Sequence, residues 1–169
     1  MSRSVPGQTA PPQLARGAFA ELASALLADG ISVRFRAGGQ SMTPAIGDGD
    51  RLIVAPVQAA AVGIADVVLC QTARGLAAHR VLSIDRAQGA LRLTTCGDTA
   101  LETDRPVSAR EVRGRVVAVE RDGGRVDAMA PGGALARLAI VAALELARAV
   151  RRFRARAWLA PAVAARGAG

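Results

Sequence analysis

From residue 31 to residue 128 the chain is a succession of short apolar runs, each ended by glycine or aspartate. Ile31, Val33 and Phe35 alternate with Ser32, Arg34 and Arg36, the period-two pattern of a half-buried strand. Residues 46–50, Ile-Gly-Asp-Gly-Asp, form a turn by composition, and a short strand is expected over 51–54. A small-residue connector at 59–64 leads to strands over 66–71 and 76–84, joined by a turn at 72–75. A turn at 85–89 and a strand over 90–96 follow. A loop then carries Glu102 and Asp104, and runs at 111–120 and 124–128 make a hairpin across Asp122-Gly123. Many short strands with Gly/Asp turns predict a mainly β domain, with no internal repeat.

Helical spacing occurs only at the two ends. Phe19, Leu22 and Leu26 predict a helix over 13–29, with Gly30 as its stop. A second helix is expected from 134 to about 158. Leu135, Leu138, Leu146, Val150 and Phe153 share one face of it, and Arg137, Arg148 and Arg151 lie on the other. The expected division is a disordered leader at 1–12, a β domain with its N-terminal helix at 13–130, and a basic amphipathic helix and tail at 131–169. At 169 residues the chain can build one domain with a real core, and with 2% aromatics that core must come from Val, Leu, Ile and Ala.

The charge of +8 is unevenly placed. Up to Ala136, 15 arginines face 13 acids; from Arg137 onward there are seven arginines and one acid, Glu145. A basic tail implies an acidic surface partner. Arg148, Arg151, Arg152, Arg154 and Arg156, mixed with Phe153 and Trp158, suit an anionic membrane surface. A helix packed on the domain with a solvated basic end fits equally well. A nucleic-acid module working through the tail is the least favoured reading, because an arginine-rich tail without a recognition fold binds nonspecifically. No run reaches the roughly 18 apolar residues of a membrane span, and no apolar segment follows Arg3 as in a signal peptide. The expected location is the cytoplasm, with docking on the inner membrane surface as an option.

The chemical inventory is narrow. All 22 basic residues are arginine, and His79 is the one histidine. Arginine stays protonated, so His79 is the only nitrogen side chain able to take a proton readily near neutral pH. Cys70 and Cys96 stand singly in strand-like runs, which argues against a zinc site, and no cofactor is expected. Ser41 sits in Gly38-Gly39-Gln40-Ser41-Met42-Thr43-Pro44, where glycines permit a tight turn and proline ends regular structure. A serine on such a corner can act as a nucleophile if a base and an orienting acid reach it. Asp85, Asp98, Glu102 and Asp104 are the acids available after the histidine.

Taken together, several boxes resemble the signal peptidase I family. They are Gly39-Gln40-Ser41-Met42-Thr43-Pro44, Gly47 to Val54, Asp66-Val67-Val68, His79-Arg80-Val81, Thr95-Cys96-Gly97-Asp98 through Asp104, and Gly114-Arg115-Val116-Val117. The match covers roughly residues 31–120 with the order of boxes kept. The bacterial branch and the related self-cleaving SOS repressors use a Ser–Lys dyad. His79 stands at the lysine position here, which resembles the archaeal and endoplasmic-reticulum branch. The resemblance implies a coiled β-sheet or β-barrel fold and a serine endopeptidase acting on a peptide or protein precursor. It implies Ser41 as nucleophile, His79 as general base and Asp104 as the triad acid, with Asp98 as the supporting acid and second choice.

Two departures accompany it. Some relatives place a serine hydroxyl two positions before the nucleophile as an oxyanion donor, and Gly39 stands there. The oxyanion and substrate contacts are therefore expected from Gly39, Gln40 and Met42, through a backbone N–H, the Gln40 amide or a water. Relatives also carry a transmembrane anchor before the serine box, where this chain has the helix expected at 13–29. These departures motivate an alternative: a peptide-binding or membrane-peripheral protein that kept the scaffold and lost turnover.

Overall fold

The computed structural model describes residues 16–128 and 133–164. The leader expected at 1–12 lies outside them. The chain is mainly β, with a helix at each end. Helix α1 (Arg16–Ala28) is followed by β1 (Val33–Arg36), β2 (Arg51–Ala55), β3 (Val67–Thr72), β4 (Gly75–Asp85), β5 (Arg92–Cys96), β6 (Val107–Ser108), β7 (Val112–Arg121), β8 (Gly124–Asp127) and helix α2 (Ala134–Ala164). The sheet runs β1-β2-β7-β3-β4-β5-β6, with β8 paired to β7, and every pairing is antiparallel. The predicted strands all form, and the Asp122-Gly123 turn closes the β7–β8 hairpin with positive φ at both residues.

Strand β3 shows why the sheet holds together. Val67, Val68, Leu69 and Cys70 are all buried, so this strand is covered on both faces. Val67 and Leu69 join one apolar cluster with Leu27, Val33, Met42, Ile46, Leu52 and Val54. Val68 and Cys70 join a second, with Val62, Val81, Leu93 and Val107. Each buried Val or Leu contributes about 1.5–3 kcal/mol relative to exposure. Met42 and Ile46, both in the first cluster and on either side of Pro44, anchor the loop that carries Ser41.

The helices pack differently from the pattern of their leucines. In α1 the buried residues are Ala20, Ala23 and Leu27, while Leu22 faces out. Small alanines let the helix approach the sheet, and Phe19 meets Phe35 edge-on with ring centroids 5.0 Å apart. In α2 the arginine face turns inward. Arg137 donates to the Ile64 carbonyl and to Asp66, Arg151 to the Asp98 carbonyl at 2.8 Å, and Arg152 to the Leu101 carbonyl at 2.7 Å. Arg148 is 3% exposed and pairs with Glu145. This corrects the expectation that Arg148 and Arg151 present charge to a membrane. The surface beneath α2 offers carbonyl and carboxylate oxygens, which guanidinium groups satisfy and leucines would leave unpaired.

Candidate active site

Strand β4 positions the histidine. It pairs with β3 in the register Val68↔His79 and with β5 in the register Arg80↔Cys96. Successive strand residues point to opposite faces, so His79 and Arg80 part company. Arg80 turns into the protein and holds both carboxylate oxygens of Asp98, at 2.8 and 2.7 Å, while its third donor reaches the Ala65 carbonyl. His79 turns to the Ser41 corner. Its Nε2 lies 3.4 Å from Ser41 Oγ, and its Nδ1 lies 2.6 Å from Asp104 Oδ2.

Thr95 completes the array. Its hydroxyl donates to the same Asp104 Oδ2 at 2.7 Å, and the Asp104 N–H donates to the Thr95 carbonyl at 2.9 Å. An oxygen that receives both His79 Nδ1–H and a hydroxyl is an acceptor, so Asp104 acts as a carboxylate. Burial pushes its carboxyl up, but the hydrogen bonds from His79 and Thr95, with the charge of His79 when it is protonated and that of Arg148, outweigh burial and hold it below the usual range. With Nδ1–H directed at Asp104, Nε2 presents its lone pair to the Ser41 hydroxyl. That is the arrangement of a proton-accepting base beside a nucleophile.

The corner itself is pinned from the β5–β6 loop. Thr99 N–H donates to the Ser41 carbonyl at 2.9 Å, and the Thr99 hydroxyl reaches the Gln40 and Ser41 carbonyls. Gly97 packs against Ser41 so closely that a Cβ on it would lie 2.7 Å from the Ser41 carbonyl oxygen. On the other side, the Gly39 N–H donates to Asp48 Oδ1 at 2.8 Å, with Gly39 at φ +95°. Within the corner the Thr43–Pro44 peptide is cis, and the Ile46 N–H closes onto the Met42 carbonyl.

The sequence-predicted residues therefore separate. Ser41, His79 and Asp104 come together. Asp98 belongs to Arg80, Asp85 caps its own turn at the Ala87 N–H, and the Glu102 carbonyl accepts from Cys96 Sγ. Of the expected oxyanion donors, the Gly39 N–H is engaged by Asp48, whereas the Ser41 N–H meets no acceptor among the described residues. Gln40 is exposed. Met42 is 4% exposed and forms wall rather than donor. Thr95, Gly97 and Asp98 stand in a box quoted for the resemblance, but their separate roles come from the structure. Asp48 and Thr99 also lie within those boxes, but the contacts that they make carry no sequence signal, since each acts on a segment that only folding brings near.

Two cavities flank His79. One, of about 180 Å³, is lined by Ser41, Phe35, Met42, Leu52, Leu69 and Ala78. The other, of about 390 Å³, lies against Asp104, Thr95, Cys70, Arg74 and Arg105. Both cysteines are free and buried. Burial, with the negative charges of Asp104 and Glu111, pushes the Cys70 thiol up to about 12, and burial likewise raises Cys96. Neither offers a thiolate near neutral pH. Among the described residues no cluster of three or more His, Cys, Asp or Glu could hold a metal ion, and no helix is long and apolar enough to cross a membrane. In comparisons with known proteins, no family model matches the chain, and neither the curated proteins nor the solved structures include a significant match.

Proposed function

We propose that the protein is a serine endopeptidase of signal-peptidase type that cleaves a peptide or protein precursor. The observation that carries this reading is the continuous chain Ser41 Oγ–His79–Asp104–Thr95, with donor–acceptor separations of 3.4, 2.6 and 2.7 Å. The order of sequence boxes supports it independently.

In this mechanism His79 Nε2 takes the hydroxyl proton as Ser41 Oγ attacks the scissile carbonyl carbon. The imidazolium that forms is stabilised by the Asp104 carboxylate, and it then gives the proton to the leaving amine. Water, activated by the same base, releases the acyl group from Ser41. The Ser41 N–H is the first oxyanion donor and the Gln40 amide is a candidate second. The 180 Å³ cavity beside Ser41 has aliphatic and aromatic walls and room for one aliphatic side chain of the acyl portion. The cavity on the Asp104 side of His79 suits the leaving portion.

One observation favours a second reading, a peptide-binding protein without turnover. With the Gly39 N–H held by Asp48, one backbone donor is removed from the oxyanion site. A serine-directed acylating probe separates the two. Labelling at Ser41 that vanishes in Ser41→Ala and in His79→Ala supports the peptidase. An inert Ser41 in the folded wild-type protein overturns it.

A further inference from the structure

The outer face of α2 is apolar from Leu135 to Phe153. Leu135, Leu138, Leu146, Val150 and Phe153 are 84%, 53%, 68%, 44% and 72% exposed. At about 100° per residue all five fall within a sector roughly 120° wide. The stripe spans residues 135–153, about 27 Å at 1.5 Å per residue. It is not the outer side of a loosely placed helix. The opposite sector is fixed to the β domain through Arg137 and Arg151, and Arg152 ties the flank of the helix to the Leu101 carbonyl, so the leucines are held outward. Soluble monomers seldom expose a contiguous apolar strip of this length, and one rimmed by polar groups marks an interaction surface.

The rim identifies the partner. Arg152 and Arg154 are exposed and stand roughly 100° to either side of the stripe's axis, at the boundary between its apolar and polar sectors. Leu101, 41% exposed, lies beside Arg152, which donates to its carbonyl, and extends the apolar surface from the helix to the β5–β6 loop. An anionic lipid surface complements both the apolar strip and the two arginines at its edges, whereas parallel pairing of two such helices would set Arg152 and Arg154 of each against those of the other.

We propose that α2 lies flat on an anionic bilayer, its leucine stripe in the boundary between headgroups and acyl chains and Arg152 and Arg154 at the level of the phosphates. The proposal does not rest on peptidase activity, because partition onto vesicles needs no turnover.

The test is flotation of the full-length protein with vesicles of mixed phosphatidylglycerol and phosphatidylcholine, and with phosphatidylcholine alone. The wild-type protein should partition onto the anionic vesicles and only weakly onto the neutral ones. The double substitution Leu146→Gln, Phe153→Gln should lower that partition by about tenfold or more, since two large apolar side chains no longer enter the interface. Arg154→Gln should lower it about fivefold, on anionic vesicles only. All three positions are exposed, so melting temperature should stay at the wild-type value and report an intact fold. Absence of wild-type partition overturns the proposal, and so does partition that the double substitution leaves unchanged. A concentration-dependent dimer in sedimentation, broken by the double substitution in a protein indifferent to vesicles, assigns the stripe to a second copy instead.

Discussion

Gly97 abuts Ser41 with no room for a side chain: a Cβ there would stand 2.7 Å from the Ser41 carbonyl oxygen and 2.9 Å from its Cβ. Both neighbours belong to Ser41, and the same loop holds the Ser41 carbonyl through Thr99. Gly97→Ala must therefore push the corner away from His79. Because Ser41 Oγ already lies 3.4 Å from Nε2, a shift of a few tenths of an ångström breaks the hydrogen bond. The expected result is a fall of about tenfold or more in the rate of Ser41 acylation, with the secondary structure retained. A wild-type acylation rate in this variant would show that the contact does not set the position of Ser41.

Asp98 and Asp104 should respond to the same substitution in opposite ways. Asp104→Asn removes the carboxylate that orients His79 and balances its charge, and should cost about a thousandfold or more in turnover with little change in melting temperature. Asp98→Asn leaves Arg80 buried without its partner, a loss of about 3–5 kcal/mol, so the melting temperature should drop by about 10 °C. Thermal melts and probe labelling on the two variants suffice. If Asp98→Asn abolished labelling without lowering stability, the roles would have to be exchanged.

The division of labour between those two aspartates follows from one property of a strand that the sequence makes plain. His79 and Arg80 are consecutive, so they face opposite sides of β4, and each takes the acid that its side offers. The strand frame is legible for the same reason: β1 alternates cleanly, β3 is a short unbroken apolar run, and Asp122-Gly123 has turn chemistry. Strand β6 is not legible, because two residues, Val107 and Ser108, carry no period. The contacts of Thr99 are not legible either, since they depend on a loop meeting Gln40 and Ser41 in space. Helix α2 shows a different limit. Periodicity separates its leucine face from its arginine face, yet it does not say which turns inward. That depends on the acceptors beneath, Asp66 and the Ile64, Asp98 and Leu101 carbonyls, which no helical pattern reveals.

In the proposed mechanism Thr95 is a positioning residue, and its contribution can be read from pH. Its hydroxyl donates to Asp104 Oδ2 and helps hold that carboxyl below the usual range. Thr95→Val keeps the volume of this 1%-exposed side chain and removes the donor. The Asp104 carboxyl then moves up, so the ionised form is lost at a higher pH as the solution is acidified. Activity should fall about tenfold at neutral pH, and an infrared titration of the Asp104 carboxyl should show its midpoint moved to higher pH. Thr95→Ser, which restores a hydroxyl, should return the midpoint toward its wild-type position. A valine variant with reduced rate but an unmoved carboxyl midpoint would mean that only packing was disturbed.

Asp50 offers a test of how the corner is anchored at its far side. Arg121 donates to both Asp50 oxygens and also reaches the Pro44 carbonyl, while the Gly47 N–H donates to Asp50 Oδ2. The Arg121 hydrogen bonds pull the Asp50 carboxyl down; burial opposes them, and the Gly47 N–H and the Arg121 charge reinforce them, leaving it below its reference value of 3.8. A carboxyl whose folded value is depressed binds fewer protons folded than unfolded near that value, so stability rises with pH there. Its contribution is complete above about 3.8 and is lost as pH falls through the lower folded value. Asp50→Asn should therefore be less stable than wild type at pH 7, and the gap should close as pH is taken from 5 toward 2. Urea unfolding across that range measures it directly. A gap of constant size down to the acid end would assign the loss to altered packing around Gly47 rather than to the ion pair with Arg121.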